Sequence, residues 1–275
     1  MTNRHALPEA IVRFAESGER PRSDGRYSVT ELLKPVREIV LSRRYASEIE
    51  EDVADCLPAL FGTAVHAILE GNAPEGSETE VALEAEIEGR VLSGRIDLLE
   101  GTVVSDYKTC SVSKVLRNDF ADWDRQGLCY AWLVWKCRGV IVTELRFHAL
   151  LKDWSKVRAS KGGNYPSSAY FAHVRKLSES DIDEAERWLK TRFGAIAEAE
   201  VTLPRCTDDE KWYTGTEYAW YLHPGDPKAK AVSANRDELE VKKRKSGGII
   251  MERRGRCLKC DLYCPCRKKC EEEKR

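Results

Sequence analysis

The stretch from Gly94 to Lys108, GRIDLLEGTVVSDYK, constrains this chain more than any other. Ile, Leu and Val cluster on both sides of a glycine, a pattern that predicts two short strands, residues 94–99 and 102–109, joined by a tight turn at Glu100-Gly101. Alternation along a strand places Asp106 and Lys108 on one face and Ser105 and Tyr107 on the other. Asp97, near the end of the partner strand, comes within reach of Asp106, so that both carboxylates can bind one hard cation. Two carboxylates and a lysine make a phosphodiesterase constellation. An isolated Asp-x-Lys on a strand is usually a solvated ion pair, so the segments around the hairpin decide between the two readings.

Those segments give an ordered set of elements. A short helix is expected near Pro8 to Glu16, followed by a loose polar arm rich in charge and proline. SVTELLKPVREIVLSRRY offers Ser28 or Thr30 as an N-cap, apolar residues at helical spacing, and Pro35 as a kink or a boundary between two helices. DCLPALFGTAVHAILEG predicts a helix ending at Gly71, on which His66 and Glu70 share a stripe that can face the hairpin. A lone helix histidine is more often packed than ligating, although neutral imidazole is also the commonest metal ligand. Glu80 to Glu88 reads as a strand, Asp119 to Lys136 as a helix with Gln126 and Tyr130 one turn apart, and Val140 to Leu151 as a further strand. The order helix, three strands, helix, strand indicates an α/β core.

Composition narrows the class. With 42% apolar and 33% charged residues the chain has the balance of a soluble protein able to bury a core. The longest apolar run, Tyr130 to Val142, is broken by Lys136, Arg138 and Gly139, and the N-terminus lacks the apolar core of a signal peptide. No membrane partner and a cytoplasmic location are the expectations. A formal net charge of −1 neither supports nor excludes a nucleic-acid partner.

Beyond the core, Ala169 to Leu177 predicts a strand, and Ser178 caps a long helix to about Ala199. Trp212, Tyr213, Trp220 and Tyr221 can stack bases, although aromatic residues among apolar ones usually pack. The tail GRCLKCDLYCPCRKKC holds Cys257, Cys260, Cys264, Cys266 and Cys270. Thiols so closely spaced cannot all reach a core, but thiolates at such intervals can wrap a metal.

Four motifs in order, GTAVHAILE (Gly62 to Glu70), GRID (Gly94 to Asp97), DYKT (Asp106 to Thr109) and Gln126-x-x-x-Tyr130, resemble the RecB-like branch of the PD-(D/E)xK nucleases. That branch includes CRISPR-adaptation nucleases and phage exonucleases; the match covers roughly residues 27–151 and, more weakly, the cysteine-rich end. Ile96 stands where the superfamily name has proline. The resemblance implies a restriction-endonuclease-like α/β fold, a mixed sheet flanked by helices with a C-terminal cysteine metal-binding extension. The expected divisions are an arm at 1–26, a nuclease domain at 27–245 and a metal-binding tail at 246–275. It implies that His66, Asp97, Asp106 and the main-chain carbonyl of Tyr107 hold Mg²⁺ or Mn²⁺, that Lys108 orients or deprotonates the attacking water, and that Gln126 and Tyr130 face the site. Glu70 and Glu84 or Glu86 are candidate accessory acids. Cys257, Cys260 and Cys266 resemble an iron-sulfur triplet whose fourth ligand lies near the N-terminus in relatives. Here that position holds Pro35 and Val36, which leaves Cys56, Cys264 or Cys270, and a [4Fe-4S] cluster or Zn²⁺. The implied activity is exonuclease action on linear DNA in phage or prophage recombination or replication, inside a bacterial cell. DNA is the implied partner, with a single-strand annealing protein or recombinase beside it. The alternatives are a structure-selective or nicking endonuclease and a catalytically silent DNA-binding module.

Overall fold

In the computed structural model, which describes residues 1–17 and 24–273, contacts divide the chain into two compact units, Met1–Leu203 and Pro204–Arg275. The stretch expected as a loose arm falls largely on residues 18–23, outside the described residues.

The first unit begins with α1 (Glu9–Ser17), β1 (Arg26–Ser28), α2 (Val29–Leu32) and α3 (Val36–Arg44). Ser28 caps α2, its hydroxyl accepting from the Glu31 amide, and the chain breaks at Pro35, which has no N–H to continue a helix. After a 3₁₀ turn come α4 (Leu57–Glu70), β2 (Glu78–Ile87), β3 (Arg90–Glu100) and β4 (Val103–Cys110). Positive φ at Glu88 (52°) and Gly89 (67°) makes the two-residue turn between β2 and β3. Gly101 (φ 58°) reverses the chain between β3 and β4. The remaining elements are α5 (Val112–Leu116), α6 (Ala121–Arg138), β5 (Glu144–Leu151), α7 (Lys156–Ala159), β6 (Tyr170–Lys176) and α8 (Glu179–Val201).

Strand β3 is the spine of a six-stranded mixed sheet. One of its edges pairs antiparallel with β2, from Glu78↔Leu99 to Ile87↔Arg90. The other edge is divided. Parallel β1 takes Val91 to Ser93, and antiparallel β4 takes Leu98 to Glu100, so Gly94 to Asp97 lie between the two pairings. The sheet continues through β5, parallel to β4, to β6. A parallel pair needs a long crossover, and α6 supplies it.

Helix α6 packs on the sheet through glycine. A Cβ on Gly127 would stand 2.6 Å from Leu145 Cδ1, and one on Gly94 of β3 would stand 2.7 Å from Leu133 Cδ1. The close approach brings α6 side chains down to β3 and β4. On its far side α6 meets α8, where Trp132 Nε1 donates to Glu186 Oε2 at 3.1 Å. Trp132, Phe147, Phe193 and Ile96 are among the fully buried residues of this core.

The stretch Val53–Glu70, ending in α4, is long and apolar enough by length and composition to cross a bilayer, contrary to the sequence expectation. The expectation rested on the interrupted run at 130–142 and overlooked this stretch of 18 residues. In the structure α4 lies on β4 and β3.

In the second unit β7 (Glu217–Tyr221) lies between β8 (Ala231–Ser233) and β9 (Ile249–Arg253), all antiparallel, with α9 (Arg236–Ser246), α10 (Leu258–Leu262) and α11 (Arg267–Glu272). The sequence set the start of the cysteine-rich tail at residue 246. The pairing of β9 with β7 instead joins that tail to everything from Pro204 onward. Of the aromatic residues able to stack bases, Trp212 is half exposed with its ring 5.3 Å from Tyr263, and Trp220 Nε1 donates to Gly247 O.

Candidate active site

The site forms where the β3 ladder is interrupted. With β1 and β4 both absent from the edge beside Asp97, its side chain substitutes for a ladder partner: Oδ2 accepts from the Tyr107 amide at 2.7 Å. This fixes the Asp97 carboxylate at the start of the Tyr107-Lys108 pair.

On the α6 side, β4 presents Asp106 and Lys108 together, as alternation requires. Lys108 Nζ lies 2.5 Å from Asp106 Oδ2. Gln126 ties both to the helix: its Oε1 accepts from Lys108 Nζ at 2.7 Å, while its Nε2 donates to Asp106 Oδ1 at 3.2 Å and to Tyr130 Oη at 2.9 Å. The amide orientation follows from charge, since only Oε1 can face an ammonium and only Nε2 a carboxylate. Gln126 and Tyr130 are buried, one turn apart, as their spacing predicted. Burial pushes the Asp106 carboxyl up, assisted by the Asp97 charge and opposed by Lys108 and His66. Burial raises the Tyr130 phenol as well.

On the other side, α4 delivers His66. Its Nε2 donates to the Tyr107 carbonyl at 2.9 Å, and its Nδ1 stands 3.4 Å from Asp97 Oδ1. The hydrogen bond to Asp97 holds the imidazole pKa above its ordinary value, against the opposing effect of burial.

A third carboxylate completes this group. Ligating atoms of His66, Glu80 and Asp97 all lie within 4.8 Å of one another. Glu80 stands across from Asp97, between the pairs Thr79↔Leu98 and Val81↔Ile96, with its backbone in the left-handed region at φ 50°. Such strain costs about 1–3 kcal/mol and collects at functional sites. Sequence reasoning missed Glu80, because Glu78, Glu80, Glu84 and Glu86 all alternate with other residues along β2 and look alike. It favoured Glu84 or Glu86 and Glu70, which lie elsewhere: Glu84 pairs with Arg26, Glu86 is exposed opposite Val91, and Glu70 is exposed at the end of α4.

One observation fits a divalent cation to these residues. With the proton on Nε2, neutral His66 turns the Nδ1 lone pair toward an Asp97 oxygen, and two facing acceptors need a cation or a proton between them. Asp106 Oδ2 is buried 2.5 Å from Lys108 Nζ, whose ammonium balances its charge. Oxygen donors with one imidazole suit Mg²⁺ or Mn²⁺. Asp106 itself is not among the three clustered ligands; it faces Lys108 and Gln126 instead.

A comparison with curated proteins gave no match. Among solved structures, an alkaline exonuclease from Laribacter hongkongensis is similar at 12% identity over 65% of this chain and 91% of its own, with a TM-score of 0.42. A phage-related exonuclease from Haemophilus somnus 129PT is similar at 11% identity over 62% of this chain and 82% of its own, with a TM-score of 0.40. The family model described as the PD-(D/E)XK nuclease superfamily matches residues 5–208, which include His66, Glu80, Asp97, Asp106, Lys108, Gln126 and Tyr130. The chain belongs to the PD-(D/E)XK nuclease superfamily.

Proposed function

We propose that this nuclease is a divalent-metal-dependent DNA exonuclease that degrades linear DNA from its ends, in phage or prophage recombination or replication. The Asp106-Lys108-Gln126 network beside the His66-Glu80-Asp97 group carries the metal-dependent reading. A non-catalytic relative would have no use for this full complement. Preference for ends rests on the resemblance of the four motifs to the RecB-like and phage exonuclease branch.

His66, Glu80, Asp97, Asp106 and the Tyr107 carbonyl would hold Mg²⁺ or Mn²⁺. When bound, the cation supplies Lewis acidity and offsets the phosphate charge. The chain does the positioning. The Asp97 contact with the Tyr107 amide fixes the carbonyl of the same residue, and His66 reaches that carbonyl from α4. Lys108 Nζ orients the attacking water and stabilises the charge that grows on the phosphate oxygens. Gln126 limits the travel of this flexible ammonium, and Tyr130 limits that of Gln126. The cysteine-rich second unit carries a separate, structural metal centre, Zn²⁺ or iron-sulfur.

Cleavage of end-labelled linear and closed circular DNA with Mg²⁺ or Mn²⁺ tests the reading, with Asp106→Ala as control. The expected result is loss of linear DNA from its ends by the wild type alone. Nicking of the circle would replace exonuclease by endonuclease. DNA binding without cleavage under either metal would leave only a DNA-binding module.

A further inference from the structure

Strand alternation gives the six-stranded sheet two faces, and one of them is left open over β5 and β6. On the α6 side Phe171 and His173 of β6 stack on Phe120, and Phe147 of β5 stacks on His173. The opposite face carries Tyr107 of β4, His148 and Leu150 of β5, and Tyr170 and Val174 of β6. Leu150 is 37%, Tyr170 47% and Val174 50% exposed, so this face meets solvent beside the ground that α4 covers on β3 and β4. Contiguous apolar and aromatic surface of this kind marks a place where something binds.

Three rings form a row across the open face. Tyr107 and His148 stand side by side in register, their centroids 5.7 Å apart. His148 and Tyr170 follow at 6.1 Å with planes 23° apart, and a 2.8 Å hydrogen bond between His148 Nδ1 and Tyr170 Oη fixes them together. The row begins at the candidate active site. The Tyr107 amide donates to Asp97, its carbonyl accepts from His66, and its ring lies 6.2 Å from the imidazole. The row ends where Tyr170 pairs with Leu150, at the foot of the β5–β6 connection, residues 152–169. Lys152, Lys156, Arg158 and Lys161 of that connection are all exposed. Its single acid, Asp153, accepts from the Val112 amide at 2.7 Å.

We infer that Tyr107, His148 and Tyr170 form a stacking platform for an unpaired segment of the DNA strand, between the His66-Glu80-Asp97 group and the basic β5–β6 connection. The inference rests on the proposed action on DNA and specifies the form in which the strand lies beside the site. Exposed rings beside a run of lysine and arginine are the pairing that single strands need: the rings take the base faces and the cations take the phosphates. A duplex offers only the second of these, because its base faces are already stacked on one another. Tyr107 joins the two functions, since its main chain belongs to the metal group and its ring begins the row.

The test titrates the full-length protein, in EDTA so that no cleavage occurs, against a fluorescent oligodeoxythymidine and a blunt duplex of equal length. His148→Ala and Tyr170→Ala should each weaken binding of the single strand about tenfold and leave duplex binding unchanged, while Tyr170→Phe, which keeps the ring, keeps most of the affinity. Equal single-strand affinity in the wild type and both alanine variants overturns the inference. Because an alanine variant can misfold, photocrosslinking of the unmutated protein to an oligonucleotide carrying 5-iodouracil gives a second measure. Crosslinks at His148 or Tyr170 support the platform, and crosslinks confined to other segments overturn it. A dimer in sedimentation that His148→Ala dissociates, with DNA affinity unchanged, would assign the face to a second copy of the chain and also overturn it. Cleavage with Mg²⁺ or Mn²⁺ is scored separately. Ring-dependent binding without cleavage would remove the nuclease reading and support the platform; cleavage with ring-independent binding would do the reverse.

Discussion

Two helices carry side chains to the candidate active site, and they are built in opposite ways. Helix α6 lies between the sheet and α8, with Trp123 and the run Gln126 to Val134 buried. Helix α4 is more apolar, yet none of its residues is buried; Phe61 and Ile68 are each 65% exposed. The difference follows from what each helix holds. Gln126 and Tyr130 act on a buried carboxylate and ammonium, where a small displacement changes a desolvated interaction. His66 contributes from a half-exposed position through two contacts, with the Tyr107 carbonyl and Asp97. The α6 side is preorganised by packing. The α4 side is held by the site itself, so ligands there should stabilise the helix as much as the helix stabilises them.

The sharpest break in this comparison is chemical. Asp106→Ala or Lys108→Ala should lower the cleavage rate by about 10³-fold with DNA binding retained, because each removes a charge that the proposed function places in the transition state. Gln126→Leu leaves both groups present and frees them to move. Its expected loss is about 10²-fold in rate with little change in affinity, read from single-turnover cleavage against a DNA-binding titration. Equal rates for wild type and Gln126→Leu would mean that α6 merely packs.

How far the sequence disclosed this site depends on how local each signal is. Asp106 and Lys108 share a face through strand alternation, and Gln126 and Tyr130 share one through helical spacing; both periods span a few residues. The division of the helical region at Pro35 and the Ser178 capping box were equally local. Glu80 was invisible, since Glu78, Glu80, Glu84 and Glu86 alternate alike, and register across from Asp97 distinguishes one of them. Backbone pairing within the second unit was hidden for the same reason: residues 211–214 bond to 256–259 across a long gap in sequence. Apolar composition does not report burial at α4: His66 faces the hairpin, yet no residue of the helix is buried.

Packing comes next in size. Gly127→Val should force α6 off β5, where Leu145 and Phe147 meet the added atoms, and cost about 1–3 kcal/mol by overpacking. In thermal unfolding that corresponds to roughly 2–4 °C per kcal/mol for a unit of this size. An unchanged Tm would show that the α6-sheet contact has slack that the rigid half of the comparison denies.

The α4 half should respond to ligand instead. Burial raises Asp106 from 3.8 to about 6, so in the metal-free protein this group favours folding below the unfolded value and loses that contribution as pH rises through about 6. A cation needs the ionised form, and the raised His66 pKa sets a proton against metal in the same direction. Mn²⁺ at about ten times its Kd should therefore add roughly 1.4 kcal/mol near pH 8 and little near pH 5. A Tm gain independent of pH would place the bound ion away from His66 and Asp106.

The smallest effect belongs to the outer surface of α4. Ile68→Ser removes an apolar side chain that is 65% exposed, so the metal-free protein should change by no more than about 0.5 kcal/mol. Substituting a buried counterpart, Trp132→Ala, should cost about 3–5 kcal/mol. Urea unfolding of the two variants measures the contrast directly. If Ile68→Ser loses several times its expected amount, then α4 is packed in solution and the loose half of the site is an error; if it is silent without metal and lowers Mn²⁺ affinity, the helix is ordered by the ligand group it carries.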